Sequence, residues 1–399
     1  MRVAMTAHTP APSSTLRTAA ALALAAAVSL GLARFSYALL LPAMRADLGW
    51  SYLTAGAMNT VNAAGYLAGA LLTPMTLARF SVRRVLLAGS MASAAMLAAH
   101  GLVSSDTALY ALRLLTGIAS AATFISGGLM AARLVGHAGA ARAGLVLGIY
   151  YGGTGAGIVA SALLVPPLTA LPQVHAWQWA WIALGATALV ATAITARETR
   201  GHDGAPAAAS QRTGFRARDF AFGLASYTLF GLGYIGYMTF VVTLLREQQL
   251  SSGLITAFYA LLGLGVIASS WLWAGLLQRH GSGRPMALLN TLLAVATLLP
   301  VLTAHPLAGF VSGALFGSVF LSVVASTTAL VRHNLPASAW PAGIAAFTTV
   351  FAAGQIVGPS LVGWLADGPG GLRAGLAASA GVLALGALLA SRQRALPQA

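Results

Sequence analysis

The sequence predicts an all-α integral membrane protein: twelve transmembrane helices in two pseudo-symmetric six-helix bundles. Three observations carry this expectation. The first is composition, with 58% of the 399 residues hydrophobic, 7% charged and a mean hydropathy of +0.81. Soluble domains carry about 25% charged residues. The second is a regular succession of apolar runs, each near the roughly 20 residues that cross a bilayer. The third is a repeat of residues at an offset close to 200.

Taken in order, the runs are Thr18–Pro42, Tyr52–Leu77, Arg84–Val103, Ala108–Leu134, Ala143–Pro166 and Trp179–Ala196 in one half. Phe220–Leu245, Leu254–Leu277, Pro285–Ala304, Leu307–Val331, Ala342–Ala366 and Leu372–Ala390 follow in the other. The N-terminal residues with Arg17 imitate a signal peptide. The apolar run, however, continues past any cleavage site and has a partner later in the chain. The one long polar break is RETRGHDGAPAAASQRTGFRARD, rich in Gly, Ala and Ser. The expected division is therefore a bundle over 1–198, a cytoplasmic linker over 199–218, and a second bundle over 219–399.

Orientation follows from charge. All 22 basic residues are arginine against 7 acids, for a net charge of +15. Only Arg45, Arg246 and Arg373 fall in loops at one end. Arg34 and Arg113 lie within spans, and the remaining seventeen lie at the other end or in the linker. The positive-inside rule then puts both termini in the cytoplasm. This distribution explains the basic balance without a nucleic-acid partner. With no cysteine, disulfides, thiolate metal sites and thiol redox chemistry are excluded. No nucleophile–base pair, His/Glu cluster or phosphate loop suggests an enzyme, a cofactor or a metal. The Ala-, Gly- and Arg-rich composition suggests a bacterial inner membrane.

The repeat is consistent in register. Gly31-Leu32 matches Gly231-Leu232, Tyr37 matches Tyr237, Asp47 matches Glu247, and Ser51 matches Ser251. Arg79 and Arg84 match Arg279 and Arg284, and Gly117 matches Gly317. After a six-residue slip, Gly148, Gly152 and Gly157 match Gly354, Gly358 and Gly363. Such a duplication reads as two parallel six-helix repeats about an axis along the membrane normal.

These features resemble the major facilitator superfamily across nearly the whole chain. GLARFSYALLLPAMRADLGWS, NTVNAAGYLAGALL and GQIVGPSLVGWLAD are similar to its YbfB/YjiJ-like branch. The resemblance implies alternating access around a central cavity walled by helices 1, 4, 7 and 10. Arg79, Arg84, Arg279 and Arg284 are read as gating or structural residues that bind lipid phosphates or cap cytoplasmic helix ends, with positive-inside charge alone as the alternative. The glycines above, with Pro359, are read as letting the halves approach and rock. Two departures stand out. The loop LARFSVRR lacks the family's acid, and the glycines of the fifth span lack the adjoining proline of the related antiporter motif, which Gly358-Pro359 on the eleventh has.

The residues that could carry function centre on Arg34 and Arg113. A guanidinium in the hydrocarbon region costs at least roughly 2.5–3.5 kcal/mol and faces protein or water. Both arginines should sit about four residues outward of mid-membrane on cavity helices. They form a candidate anion clamp, unless each is pinned to carbonyls or Arg113 pairs with Asp106. Asn59, Asn62 and Tyr66 share one helix face, and Tyr37 lies one turn from Arg34. Tyr151, Tyr234, Tyr237 and Gln355 complete the candidate substrate-binding set, each having helix–helix contact as its alternative.

The expected function is secondary transport of a small organic anion, a carboxylate foremost. Efflux of drugs or metabolites with structural arginines is the alternative, and a non-transporting sensor is a more distant one. Expected partners are the anionic small molecule, the lipid bilayer and protons as a candidate coupling ion, with no nucleic acid; a monomer is expected. No Asp or Glu lies deep in any span, so coupling would use groups near the outer ends or the substrate's own ionisation.

Overall fold

A computed structural model describes residues 12–138, 140–202 and 215–396. The described residues form twelve long helices. They are α1 (Thr15–Leu48), α2 (Tyr52–Leu77), α3 (Val82–His100), α4 (Asp106–Ala138), α5 (Ala140–Thr169) and α6 (Trp177–Glu198) in the first half. The second half holds α7 (Ala221–Glu247), α8 (Ser252–Arg279), α9 (Arg284–Leu302), α10 (Pro306–Asn334), α11 (Trp340–Ala366) and α12 (Gly371–Arg392). All but α2 are long and apolar enough to span a membrane. The exception carries Thr54, Asn59, Thr60, Asn62 and Thr73 along its 26 residues. Of the expected linker, residues 203–214 lie outside the described residues.

Short polar caps start these helices where the sequence changes from loop to apolar run. Ser51 Oγ accepts from Thr54 N (3.0 Å), and its repeat partner Ser251 accepts from Leu254 N (3.4 Å). Such caps satisfy backbone donors that the first turn leaves free. Gly49, at φ +66°, ends α1 in the left-handed conformation that glycine adopts without strain. The chain therefore stays helical to Leu48, beyond the expected stop at Pro42. A proline inside a spanning helix is tolerated where neighbours support the freed carbonyl.

Packing reproduces the repeat helix by helix. α2 packs on α4 as α8 packs on α10, α3 on α6 as α9 on α12, and α1 on α5 as α7 on α11. Glycines at an offset of 200 make the closest approaches. A Cβ on Gly65 would strike the Leu114 carbonyl, and one on Gly265 the backbone of Ala314 and Ser318. Gly117 abuts Asn62 O, and Gly317 abuts Leu262 O. Small residues let membrane helices approach to backbone contact. The fifth and eleventh helices differ from the expected register. Gly157 rests on Ala27 and Gly354 on Thr228, so the offset there is near 197 rather than 206. The glycine matches across the six-residue slip are coincidences of composition.

The halves meet through α2 against α11, α5 against α8, and α1 against α7. Gly148 and Gly152 of α5 face Trp271 and Ile267 of α8, while Pro359 and Gly363 of α11 face Gly56 and Tyr52 of α2. Arg79, Arg84, Arg279 and Arg284 are all exposed at the arginine-rich end, at repeat-related positions.

Candidate functional site

The site is built on an irregularity. Between Ala27 and Phe35 the first helix widens into a π-helix, every residue of which is buried. Ser36 N reaches back five residues to Gly31 O (3.1 Å), and Ser36 Oγ donates to Leu32 O (2.5 Å). π-Bulges recur at functional sites because the widened turn re-aims side chains. Here it carries Arg34.

The Arg34 side chain crosses from the first half to the second. Its Nη2 donates to Gln355 Oε1 on α11, and the same oxygen accepts the Tyr234 hydroxyl of α7 (2.9 Å). The guanidinium lies 5.4 Å from the centre of the Tyr66 ring, a cation–π contact. Arg34 is 4% exposed, and its Nε has no hydrogen-bond partner. Among the described residues the ion pairs are His175–Asp47, Arg197–Glu198 and Arg218–Asp219, and none of them involves Arg34. Its charge is therefore offset by a neutral amide and a ring.

Arg113 is held quite differently. Nη1 donates to Ala33 O (3.1 Å), Nε to Met58 O (3.4 Å) and Nη2 to Asn59 Oδ1 (3.1 Å). The rings of Tyr37 and Trp181 lie 4.8 and 5.9 Å from it. This guanidinium is 1% exposed and sits inside the first bundle, binding α1, α2 and α4 together. Asn62 Nδ2 donates to the Arg113 carbonyl (3.0 Å), and Tyr37 donates to Ala55 O (2.8 Å). The candidate set thus separates. Arg34, Tyr66, Tyr234 and Gln355 converge at the junction of the halves. Arg113, Tyr37, Asn59 and Asn62 form a polar core beneath them, with Asn59 Nδ2 also donating across the junction to Thr239 Oγ1 (2.7 Å). Tyr237 pairs with Ser312 (2.7 Å) and stacks on Phe316 within the second bundle, away from both groups.

Aromatic rings surround the junction. Tyr234 stacks on Phe351 at 5.6 Å and on Phe320 at 6.0 Å, and Phe35 meets Phe320 edge-on at 5.7 Å. Tyr151, mid-helix on α5, is 41% exposed and packs against Phe124 and Tyr150. It lies within electrostatic reach of Tyr66 and, from the other half, of Arg332.

Hydrogen bonds that cross between the halves run from this level to the arginine-poor end. Tyr259 of α8 donates to Phe35 O (2.6 Å), and Thr60 of α2 donates to Ile356 O (2.8 Å). At the end itself Asp367 accepts from Tyr52 N (2.8 Å) and Leu53 N (2.9 Å), capping α2 from the opposite half. The Tyr52 hydroxyl donates to Glu247, and Arg45 lies 3.7 Å over the Tyr52 ring. Sequence reasoning passed over Trp181, Thr239, Tyr259 and this latch. Asp367 and Glu247 follow the ends of apolar runs in the sequence, but the partner of Asp367 is a backbone, which leaves no trace in residue type.

The family profile described as "Uncharacterised MFS-type transporter YbfB" matches residues 26–391. The chain belongs to this family of major facilitator transporters. Like other YbfB-family chains it is therefore a membrane transporter and not an enzyme. Comparison with curated protein sequences gives no match. Solved structures share the fold. A bacterial homologue of the human lysosomal transporter Spinster, in an inward-facing, unoccupied conformation, superposes with a TM-score of 0.72 at 13% identity, covering 95% of this chain and 97% of that one. A point mutant of the nucleoside transporter NupG gives 0.74 at 15%, covering 93% and 98%. At these identities the likeness concerns the YbfB-family chain's fold alone.

Proposed function

We propose that this transporter moves a small organic anion, a carboxylate foremost, by alternating access across a bacterial inner membrane with both termini in the cytoplasm. The observation that carries the reading is Arg34. It is a buried guanidinium with an unpartnered Nε, aimed from one half of the molecule at a neutral amide of the other. A buried charge left on neutral partners is costly, and an arriving carboxylate relieves it with a charge-assisted, forked pair of hydrogen bonds. Gln355 Oε1 stands where a ligand oxygen would sit, accepting from both Arg34 and Tyr234. Displacing it would also break a bond between the halves, which gives substrate binding a handle on their relative movement. Arg113 supports the site by fixing α1 and by adding positive potential. In the efflux alternative the arginines are structural, and the carbonyl-bound state of Arg113 favours that reading for this one residue.

The test is anion binding to purified protein, with benzoate and succinate as probes and uridine as a neutral control. Arg34→Ala should weaken anion binding by at least about tenfold, since each charge-assisted bond is worth about 1.5–3 kcal/mol. Gln355→Glu should do the same by seating an internal carboxylate on Arg34. If anions bind equally well to both variants and to the parent protein, Arg34 is a structural pin and the anion reading is wrong.

A further inference from the structure

We infer that the ligand is a monoanion with a flat aromatic body, a ring-bearing monocarboxylate rather than a dicarboxylate or a sugar acid. This rests on the reading of Arg34 as the anion contact and narrows what that contact accepts.

The charge count comes first. Two guanidinium groups lie near the junction, but of the two only Arg34 leaves a buried nitrogen with no hydrogen bond at all. Arg113 places Nε, Nη1 and Nη2 on Met58 O, Ala33 O and Asn59 Oδ1. Arg34 places Nη2 on an amide oxygen and leaves Nε unpartnered. One carboxylate therefore meets one fork. A second carboxylate held beside the first would be desolvated without a second guanidinium hydrogen-bonded to it, and burying an unpaired charge is strongly disfavoured. Arg332 reaches Tyr151 only electrostatically and sits over the Trp340 ring.

The walls decide the body. Beside the guanidinium lie the face of Tyr66 and, through the shared Gln355 oxygen, the stacked pair Tyr234–Phe351. The half-exposed ring of Tyr151 lies next, within electrostatic reach of Tyr66. Polar atoms on these walls are few, namely the Gln355 amide and tyrosine hydroxyls. A polyhydroxylated ligand would lose more hydrogen bonds to water than it could replace. A flat ring instead gains offset or edge-to-face packing against rings already held in place by their neighbours. Tyr66 serves both ends of such a ligand, since its face lies 5.4 Å from the cation and its ring adds apolar surface beside it.

The experiment compares four probes of similar size on the purified full-length protein: benzoate, cyclohexanecarboxylate, phthalate and benzamide. Dissociation constants are read by calorimetry, with Arg34→Ala as the reference for site occupancy. Benzoate should bind tightest, with phthalate and benzamide each weaker by about tenfold or more. Cyclohexanecarboxylate should fall between, and Tyr151→Leu should erase most of the gap between it and benzoate. Tyr151 is the better variant for this purpose because, at 41% exposure, it carries little of the fold. Tyr66→Leu should do the same if it folds. Phthalate binding as tightly as benzoate, in an Arg34-dependent manner, would overturn the monoanion assignment. Equal affinity for the flat and the saturated ring would overturn the aromatic one. Anion binding indifferent to Arg34→Ala would instead remove the parent reading, and this inference with it.

Discussion

Asp367 ties the two halves together through backbone amides, and removing it should open the arginine-poor end. The perturbation is Asp367→Ala, which deletes both acceptors of the Tyr52 and Leu53 amides. Loss of a helix N-cap costs about 1 kcal/mol within a range of roughly 0.5–2, and the dipole adds about 0.3–1 kcal/mol at an exposed site. Asp367 is exposed, so the larger figures for buried charge do not apply. The bonds exist only when the halves are together, so the whole loss of about 1–2 kcal/mol falls on the closed state. That is a shift of about 5- to 30-fold in the closed–open ratio. The reporter is Thr243→Cys, a near-isosteric change in a chain without native cysteine. Thr243 is 3% exposed and lies one turn from Thr239, which bonds across the junction to Asn59. Maleimide labelling of this thiol proceeds through the open state, so its rate follows the open population even when that population is small. Asp367→Ala should raise the rate by that factor, and adding Tyr52→Phe, which removes the bond to Glu247, should raise it further. Labelling that stays constant through the single and double variants would refute the latch.

The other expectations test the packing and the polar core. Gly117→Ala and Gly317→Ala should each destabilise the fold by about 1–3 kcal/mol, because the new Cβ meets a backbone carbonyl that cannot step aside; thermal unfolding in detergent reads this. His100 is fully buried, stacked at 4.4 Å on Trp181, and its Nε2 has no partner, so His100→Phe should leave stability unchanged or raise it by about 1 kcal/mol in the same assay. Arg113→Lys should lower stability by about 1–3 kcal/mol, since an ammonium cannot reach Ala33 O, Met58 O and Asn59 together. An unaltered melting temperature in that variant would mean the three bonds contribute nothing.

The fold was legible because its cause is coarse. Twelve apolar runs and an offset of 200 are properties of whole segments, and single residues such as Ser51 and Ser251 confirm them by capping equivalent helices. The special status of Arg34 was also legible, since an arginine inside a span is anomalous wherever it points. Where it points was not. The common depth of Arg34 and Arg113 suggested a clamp, but the choice between a carbonyl-lined recess and an open junction depends on helix rotation. The π segment alters that rotation without any residue announcing it. The register of α5 against α11 escaped for a related reason. Glycines in a chain with 45 of them align at many offsets, and only the contact of Gly157 with Ala27 selects one.

That π segment bears on how this chain tolerates change in length. A single residue added to or removed from an ordinary spanning helix turns everything beyond it by about 100° and shifts it by about 1.5 Å, which ruins one face or the other. The nine residues from Ala27 to Phe35 already hold such a surplus, taken up as a wide turn with Ser36 bonded five residues back. Removing one residue within that stretch lets the turn tighten to regular geometry. The flanking faces, Thr18 to Ala26 on one side and Tyr37 to Met44 on the other, keep their neighbours. What moves is the short arc between them, and Arg34 is on it. The first helix is thus two well-anchored rods joined by a length of slack, and the charge of the site rides on the slack.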